Sequence, residues 1–314
     1  MLPLSRPHNR AVDLLQYLAL RLVVVFLEIM PIETAYRTAR WIGELMWRVM
    51  PKQRRRAREQ LHRSFPDWRP GRVDRVARQS FLNLVYLGVE VALTPRLITL
   101  DRWRRHIRTD GLAEGLGVAT RRRGGLILVA GHFGSWEIAG YAAAMLGFPA
   151  VAVARPLDNP YVNDYVMGVR ERTGQSILYK KGAAAGMAEV LRRGDMLAFM
   201  ADQDAGHRGV FVDFFGRPAS TYRSVALLAQ RTGTPIVVAY GKRLSERLEF
   251  QIGVERIIRP EEWARVDDPI AWITQEYTRA LEAIIRTAPE QYLWTHRRWK
   301  HRPDGTVAAD DGIA

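Results

Sequence analysis

Hydrophobic and polar positions along the chain follow two rhythms. Up to about residue 95 the apolar positions recur every three to four residues, the repeat of an amphipathic helix. The run LLQYLALRLVVVFLEIM (14–30) is almost wholly apolar. Residues 34–64 read as helical, with a stripe of Trp41, Ile42, Leu45, Met46 and Val49 and an interruption at Pro51, and VDRVARQSFLNLVYLGVEVAL (73–93) predicts a further helix. From Gly124 short β-branched or apolar runs alternate with helical stretches. LILVAG (126–131), AVAVARP (150–156), MLAFMAD (196–202) and PIVVAYG (235–241) predict strands. Helices are expected near 136–146, 160–173, 183–193 and 221–231, and over 268–289, where Pro289 stops the last one. LEFQIGVERI (248–257) alternates weakly, as an edge strand does. The alternation predicts an α/β fold with a mostly parallel central sheet flanked by helices. At 314 residues the chain is long enough for one large core. The expected division is an N-terminal helical region over 1–60 and an α/β domain over 61–314.

Charge adds a partner to this picture. Lys and Arg number 47 against 33 Asp and Glu, a net charge of +14, which attracts anionic surfaces of whatever kind. Nucleic acid is not expected, because no helix-turn-helix or zinc pattern accompanies the charge. The absence of cysteine excludes disulfides, thiolate metal sites and cysteine nucleophiles. The apolar run 14–30 carries Arg21 and Glu28. A spanning helix wants about 20 apolar residues, and a central Arg costs about 2.5–3.5 kcal/mol. Arg6, His8 and Arg10 precede the run, but no small-residue cleavage site follows it, so the segment is expected to be retained. Arg37, Arg40, Arg48, Lys52, Arg54, Arg55, Arg56 and Arg58 crowd its far side, which favours a helix seated in a membrane over one buried in the core.

The candidate chemistry begins where LILVAG ends. In open α/β sheets ligands bind beyond the carboxyl ends of the strands, and His132 stands at such an end. Gly131 and Gly134 permit a tight turn, Ser135 is suited to cap a helix, and Glu137 falls in that helix's first turn. From there Glu137 could reach back to one ring nitrogen of His132 and raise the basicity of the other. A histidine oriented by a carboxylate is the base half of a catalytic triad, and no protein nucleophile accompanies it. Such a base can act on a substrate hydroxyl directly. A hydrogen-bonded structural histidine is the competing reading. Arg155 ends AVAVARP, where it could steady an oxyanion or form a surface ion pair. Asp202 ends MLAFMAD and is read as orienting a neighbour; with Asp204 and Gly206 it resembles the start of a calcium loop, but no late glutamate follows, so no metal is expected. Val210, Phe211, Phe214 and Phe215 form an apolar loop that fits core packing and a hydrocarbon slot equally well.

Together GHFGSWE, ARPLDNPYV, ADQDAGHRGVFVDFFGRPAST, RTGTPIVVAY and PEQYLWTHRRWKHRP resemble the bacterial lysophospholipid acyltransferase superfamily. The resemblance is nearer to its late lipid A lauroyl and myristoyl transferases, to which the phosphatidylinositol mannoside acyltransferases are related. Helical RRRAREQLHRSFPD is also typical, and the matching stretches run in order across nearly the whole chain. The resemblance implies a glycerolipid-acyltransferase fold with a membrane-associating N-terminal helix and an HxxxxE catalytic pair, here His132 and Glu137. It also implies a catalytic Arg155 and a supporting, substrate-side Asp202. The implied donor is acyl carrier protein or acyl-CoA. The implied acceptor is a lipid hydroxyl at the cytoplasmic face of a Gram-negative inner membrane, and no cofactor is needed. In that scheme Glu137 holds the imidazole, and Arg155 and backbone N–H groups around Gly134 support the oxyanion; Phe211, Phe214 and Phe215 of the apolar loop are the candidates for contact with the substrate chain. Gly131 stands where many lipid A enzymes have Asn, so glycolipids, ornithine-type lipids and lipid A all remain open as acceptors. Hydrolysis of the thioester by the same pair is the alternative reaction.

Overall fold

The computed structural model describes residues 9–121, 125–154, 156–172, 174–179 and 183–308. Four helices lead the chain: α1 (Arg10–Ile29), α2 (Ile32–Val49), α3 (Pro51–Ser64) and α4 (Pro70–Leu97). Asn9 caps α1, its side-chain oxygen accepting from the N–H groups of Ala11 and Val12. Pro51 sits at the first position of α3, where its missing N–H costs nothing, so it starts a helix as well as ending one. Among the described residues no helix is long and apolar enough to cross a membrane. In α1, Val24 and Leu27 are buried while Leu15, Leu22, Phe26 and Ile29 are exposed.

The remainder is strand β1 (Ile107–Asp110), helix α5 (Leu112–Arg121), β2 (Leu126–Ala130), α6 (Trp136–Met145), β3 (Ala150–Ala154) and α7 (Pro160–Arg172). Next come β4 (Ser176–Tyr179), α8 (Ala183–Arg192), β5 (Met196–Met200), β6 (Val210–Phe214) and β7 (Arg217–Thr221). Then follow α9 (Ser224–Thr232), β8 (Ile236–Ser245), β9 (Glu249–Ile258), α10 (Pro260–Trp263) and α11 (Pro269–Thr287). Seven strands form one sheet in the order β1-β9-β8-β2-β5-β3-β4, parallel except for the antiparallel β8–β9 pair. The segment expected at the edge, β9, is therefore interior, because the short strand β1 pairs with its outer side.

The pleat separates two faces. Ile127, Val129, Leu197, Phe199, Ile236 and Val238 point into a core shared with α9 and α11. Leu126, Ala150, Met196, Val237 and Ile257 point the other way. The apolar loop after β5 is in fact the β6–β7 hairpin. Phe214 and Phe215 are buried in the main core, Phe215 against Trp294 and Phe214 stacked on Trp299, so they pack the fold rather than line a slot; Phe211 is half-buried on β6.

A charged network ties the helical lead-in to the sheet. Glu90 of α4 is fully buried and ion-paired with Arg243 of β8, whose guanidinium also binds Asn83. Tyr36 of α2 donates to the same carboxylate at 2.9 Å and Ser135 at 2.7 Å. Ser135 thus spends its hydroxyl on Glu90, and no side-chain bond caps α6. Removing one partner of a buried pair strands the other charge, so Glu90→Ala is expected to cost about 3–5 kcal/mol of stability. Denaturant unfolding of the variant against the parent measures it.

Candidate active site

Strands β2 and β5 are parallel neighbours in a register that pairs Ala130 with Met200. The second residue past each strand end is therefore placed side by side: His132 after β2 and Asp202 after β5. Asp202 grips the histidine twice, accepting the His132 backbone N–H at 2.6 Å and facing ring Nδ1 at 2.7 Å. A carboxylate can only accept, so Nδ1 carries the proton and Nε2 presents its lone pair. The side-chain nitrogen of Gln203 lies 3.3 Å from Nε2, where a hydrogen-bonding substrate group would also sit. The Trp136 ring packs edge-on at 5.2 Å.

Burial alone would depress the His132 pKa, but the charge and hydrogen bond of Asp202, with Glu137 adding at longer range, raise it above the ordinary value. Burial pushes the Asp202 carboxyl up, and His132 together with Arg298 more than reverses this, so it stays ionised. Tyr292, buried against Asp202, has its phenol held well above the usual range and remains protonated. Burial lowers the His296 pKa, which keeps a second imidazole neutral within the fields of Asp202 and His132.

The role expected of Glu137 thus falls to Asp202. Glu137 does sit in the first turn of α6, but its carboxylate is taken by Arg170 of α7, whose Nε donates at 3.1 Å and whose Nη2 binds the second oxygen. A carboxylate held in a two-pronged guanidinium fork is not free to orient the imidazole. Glu137, Arg170 and His132 nevertheless border one cavity. Gly134 takes φ +59°, and a Cβ there would lie 2.0 Å from the carbonyl oxygen of Gly241. Its N–H donates to the Gln291 carbonyl, that of Ser135 to Gly241 and that of Phe133 to Gly131, so the expected oxyanion donors of this turn are already engaged. Arg155 lies outside the described residues.

Sequence reasoning missed the supports of this turn. Gln291 accepts from Gly134 and Asn83 through its carbonyl and clamps the Arg243 backbone with its side chain. The Leu293 N–H donates to the His132 carbonyl at 3.1 Å. The second aspartate of the polar turn repeats the device of the first. Asp204 accepts the His301 backbone N–H at 3.2 Å and faces Nδ1 at 2.6 Å, so each of the two acids is engaged by a histidine. Among the described residues no group of three or more His, Asp or Glu is placed to hold a metal ion.

The cavity beside His132 runs between the sheet and α6 and has a volume of about 270 Å³. Leu128, Ala130, Ala150, Ala152, Ala198 and Ala239 line it from the strands, and Ala139, Gly140 and Ala143 from the helix. Small side chains on one pleat of the sheet leave this space open. Its lining is mostly apolar, with His132, Glu137, Arg170, Gln175 and Tyr240 as the polar exceptions.

An ionised carboxylate, an imidazole with an outward lone pair and an apolar slot on an α/β sheet form the equipment of an acyl-handling enzyme. Residues 6–301 match the model of the bacterial lipid A biosynthesis acyltransferases, and the chain belongs to that family. It is an acyltransferase. It is 28% identical over 282 residues to the lipid A biosynthesis lauroyltransferase of Escherichia coli (strain K12), covering 88% of each chain. Identity to the lipid A biosynthesis palmitoleoyltransferase of the same organism is 26% over 267 residues, 84% of each chain. A phosphatidylinositol mannoside acyltransferase of Mycobacterium tuberculosis is 29% identical over 134 residues, 41% of this chain and 42% of that protein.

Proposed function

We propose that this protein moves a fatty acyl chain from the thioester of acyl carrier protein, or of CoA, to a hydroxyl of a lipid A precursor. The observation that carries the reading is the His132–Asp202 pair, whose histidine lines a mostly apolar cavity. The acyl chain lies in the alanine-lined cavity with its carbonyl carbon near His132. Nε2 takes the proton of the acceptor hydroxyl as that oxygen attacks the carbonyl carbon. The tetrahedral intermediate collapses, the C–S bond breaks, and the imidazolium returns its proton to the departing thiolate. The products are a lipid ester and a free thiol. Asp202 stays ionised and holds the tautomer. Arg170 is the arginine that lines this cavity among the described residues, and Arg155 retains the oxyanion role that the resemblance implies. A thioester is already activated, so the residues need no cofactor.

The reaction takes place at the cytoplasmic face of the inner membrane. Leu15, Leu22, Phe26 and Ile29 on α1 and Trp41, Ile42, Leu45 and Val49 on α2 are exposed, forming apolar surface of the kind that seats in a membrane interface. The net charge of +14 favours anionic headgroups and an acidic carrier protein.

The test is product analysis by mass spectrometry with purified protein, acyl carrier protein thioester and lipid A precursor in micelles. One acylated lipid per thiol released is expected. Fatty acid released at the same rate with and without the lipid would identify a hydrolase instead.

A further inference from the structure

A second, larger cavity of about 660 Å³ lies between α1, α4, α6 and α7. Leu20, Val24, Leu84, Val91, Ile138 and Val166 line it. Gly88 faces it from α4, and a Cβ at that position would meet nothing within 4 Å, so the space is open at the helix surface itself. Its outer wall is α1, the helix whose other side exposes Leu15, Leu22 and Phe26. Polar clips join the start of that helix to the α7 region: Asn159 donates to the Asp13 carbonyl at 2.9 Å and to Gln16 at 3.0 Å, and Arg21 lies 4.7 Å over the Tyr165 ring. At the inner end the walls are Glu137, Arg170 and Gln175, which also line the cavity beside His132. The Glu137–Arg170 ion pair and Gln175 therefore form the wall shared by two largely apolar cavities. Partly buried charges are costly to keep there unless they have a task, and separating two chains is one.

We propose that this second cavity holds a hydrocarbon chain of the acceptor lipid while the alanine-lined cavity holds the chain being transferred. The inference rests on the acyltransfer reading above. The chain in transit must bring its carbonyl carbon to His132, which the alanine-lined cavity borders directly. A chain in the second cavity stays on the far side of the Glu137–Arg170 pair, so it belongs to a lipid that is held and not broken. Helix α1, the element with the apolar outward face, forms one wall of that cavity.

The test uses the full chain with phosphatidylethanolamine–phosphatidylglycerol vesicles containing a lipid A precursor that bears a diazirine on one existing chain, in the absence of any thioester. Photolysis is expected to label Leu84, Val91 or Val166, and Gly88→Phe, which fills the opening, is expected to reduce that labelling at least tenfold. With thioester added, the same variant should raise the KM for the lipid relative to the KM for the donor by about tenfold, the loss expected from excluding two methylene groups. Gly88→Leu, a smaller plug, gives the same direction should the phenylalanine variant unfold. Labelling confined to Ala139 or Ala152, a shift in preferred donor chain length, or indifference of both readouts to both variants would overturn the assignment. Specific labelling without ester formation would instead count against the acyltransfer reading and leave the lipid site standing.

Discussion

Replacing His132 with alanine is expected to lower acyl transfer about 10²–10⁴-fold, the range that a positioned general base contributes. The imidazole is the described group that combines a basic lone pair, contacted only by the Gln203 amide nitrogen, with an orienting carboxylate and a place in the cavity lining. In the variant the acceptor hydroxyl would have to lose its proton to water. Gln203 donates and does not accept through the nitrogen that faces the site, so it cannot substitute. The lipid and acyl-chain surfaces are untouched, so the loss should fall on kcat with KM for both substrates little changed. Steady-state kinetics with acyl carrier protein thioester checks it, and a variant that retains wild-type turnover would remove His132 from the chemistry.

Asp202→Asn is expected to be nearly as damaging although it preserves shape, with a loss of up to about 10⁴-fold, as when the aspartate of a Ser-His-Asp site becomes asparagine. The asparagine oxygen can still accept the His132 backbone N–H, which places its NH₂ group opposite Nδ1. An NH₂ group donates, so Nδ1 becomes the acceptor and the proton moves to Nε2, the atom that has to be bare. The substitution also removes the negative charge that raises the His132 pKa. Glu137→Gln makes the contrast. It loosens the Arg170 fork without touching Nδ1 and removes only the weaker, longer-range contribution to the His132 pKa, so it should shift the acid limb less than Asp202→Asn does. Measured kcat values for the two variants, with thermal unfolding to confirm that both fold, separate the carboxylate that orients the histidine from the one that borders the cavity.

The strand that delivers His132, the one that delivers Asp202 and the glycines of the turn were all legible from local pattern. Their meeting was not. It depends on β5 inserting between β2 and β3, a fact of strand order that no run of residues encodes. The nearer glutamate in sequence was therefore assigned to the histidine, whereas the register brings in an acid seventy positions away. Arg170 carried no mark either, being one of two arginines on an ordinary helix. The β6–β7 hairpin was hidden by its turn. Phe215 and Gly216 both have positive φ, at 56° and 70°, a conformation in which Asn-Gly would be the usual signal and an aromatic residue is not. The alanine-lined cavity was half visible, since AVAVA alternates small and larger side chains and MLAFM places another alanine on the neighbouring strand. Alternation alone does not tell whether the small side faces a helix that fills the space or one that leaves it open. Here α6 turns Ala139, Gly140 and Ala143 to that side, and the gap remains.

The pH dependence of kcat/KM for acyl transfer, measured for the parent and for Asp202→Asn, probes the dyad most directly. The base works unprotonated, so activity should fall as pH drops through the His132 pKa. In the parent that acid limb is expected above the ordinary imidazole value of 6.5, because Asp202 holds the proton more firmly than burial repels it. In Asp202→Asn the limb is expected at lower pH with a much reduced plateau. An acid limb that does not move between the two proteins would contradict the claim that Asp202 sets the basicity of His132.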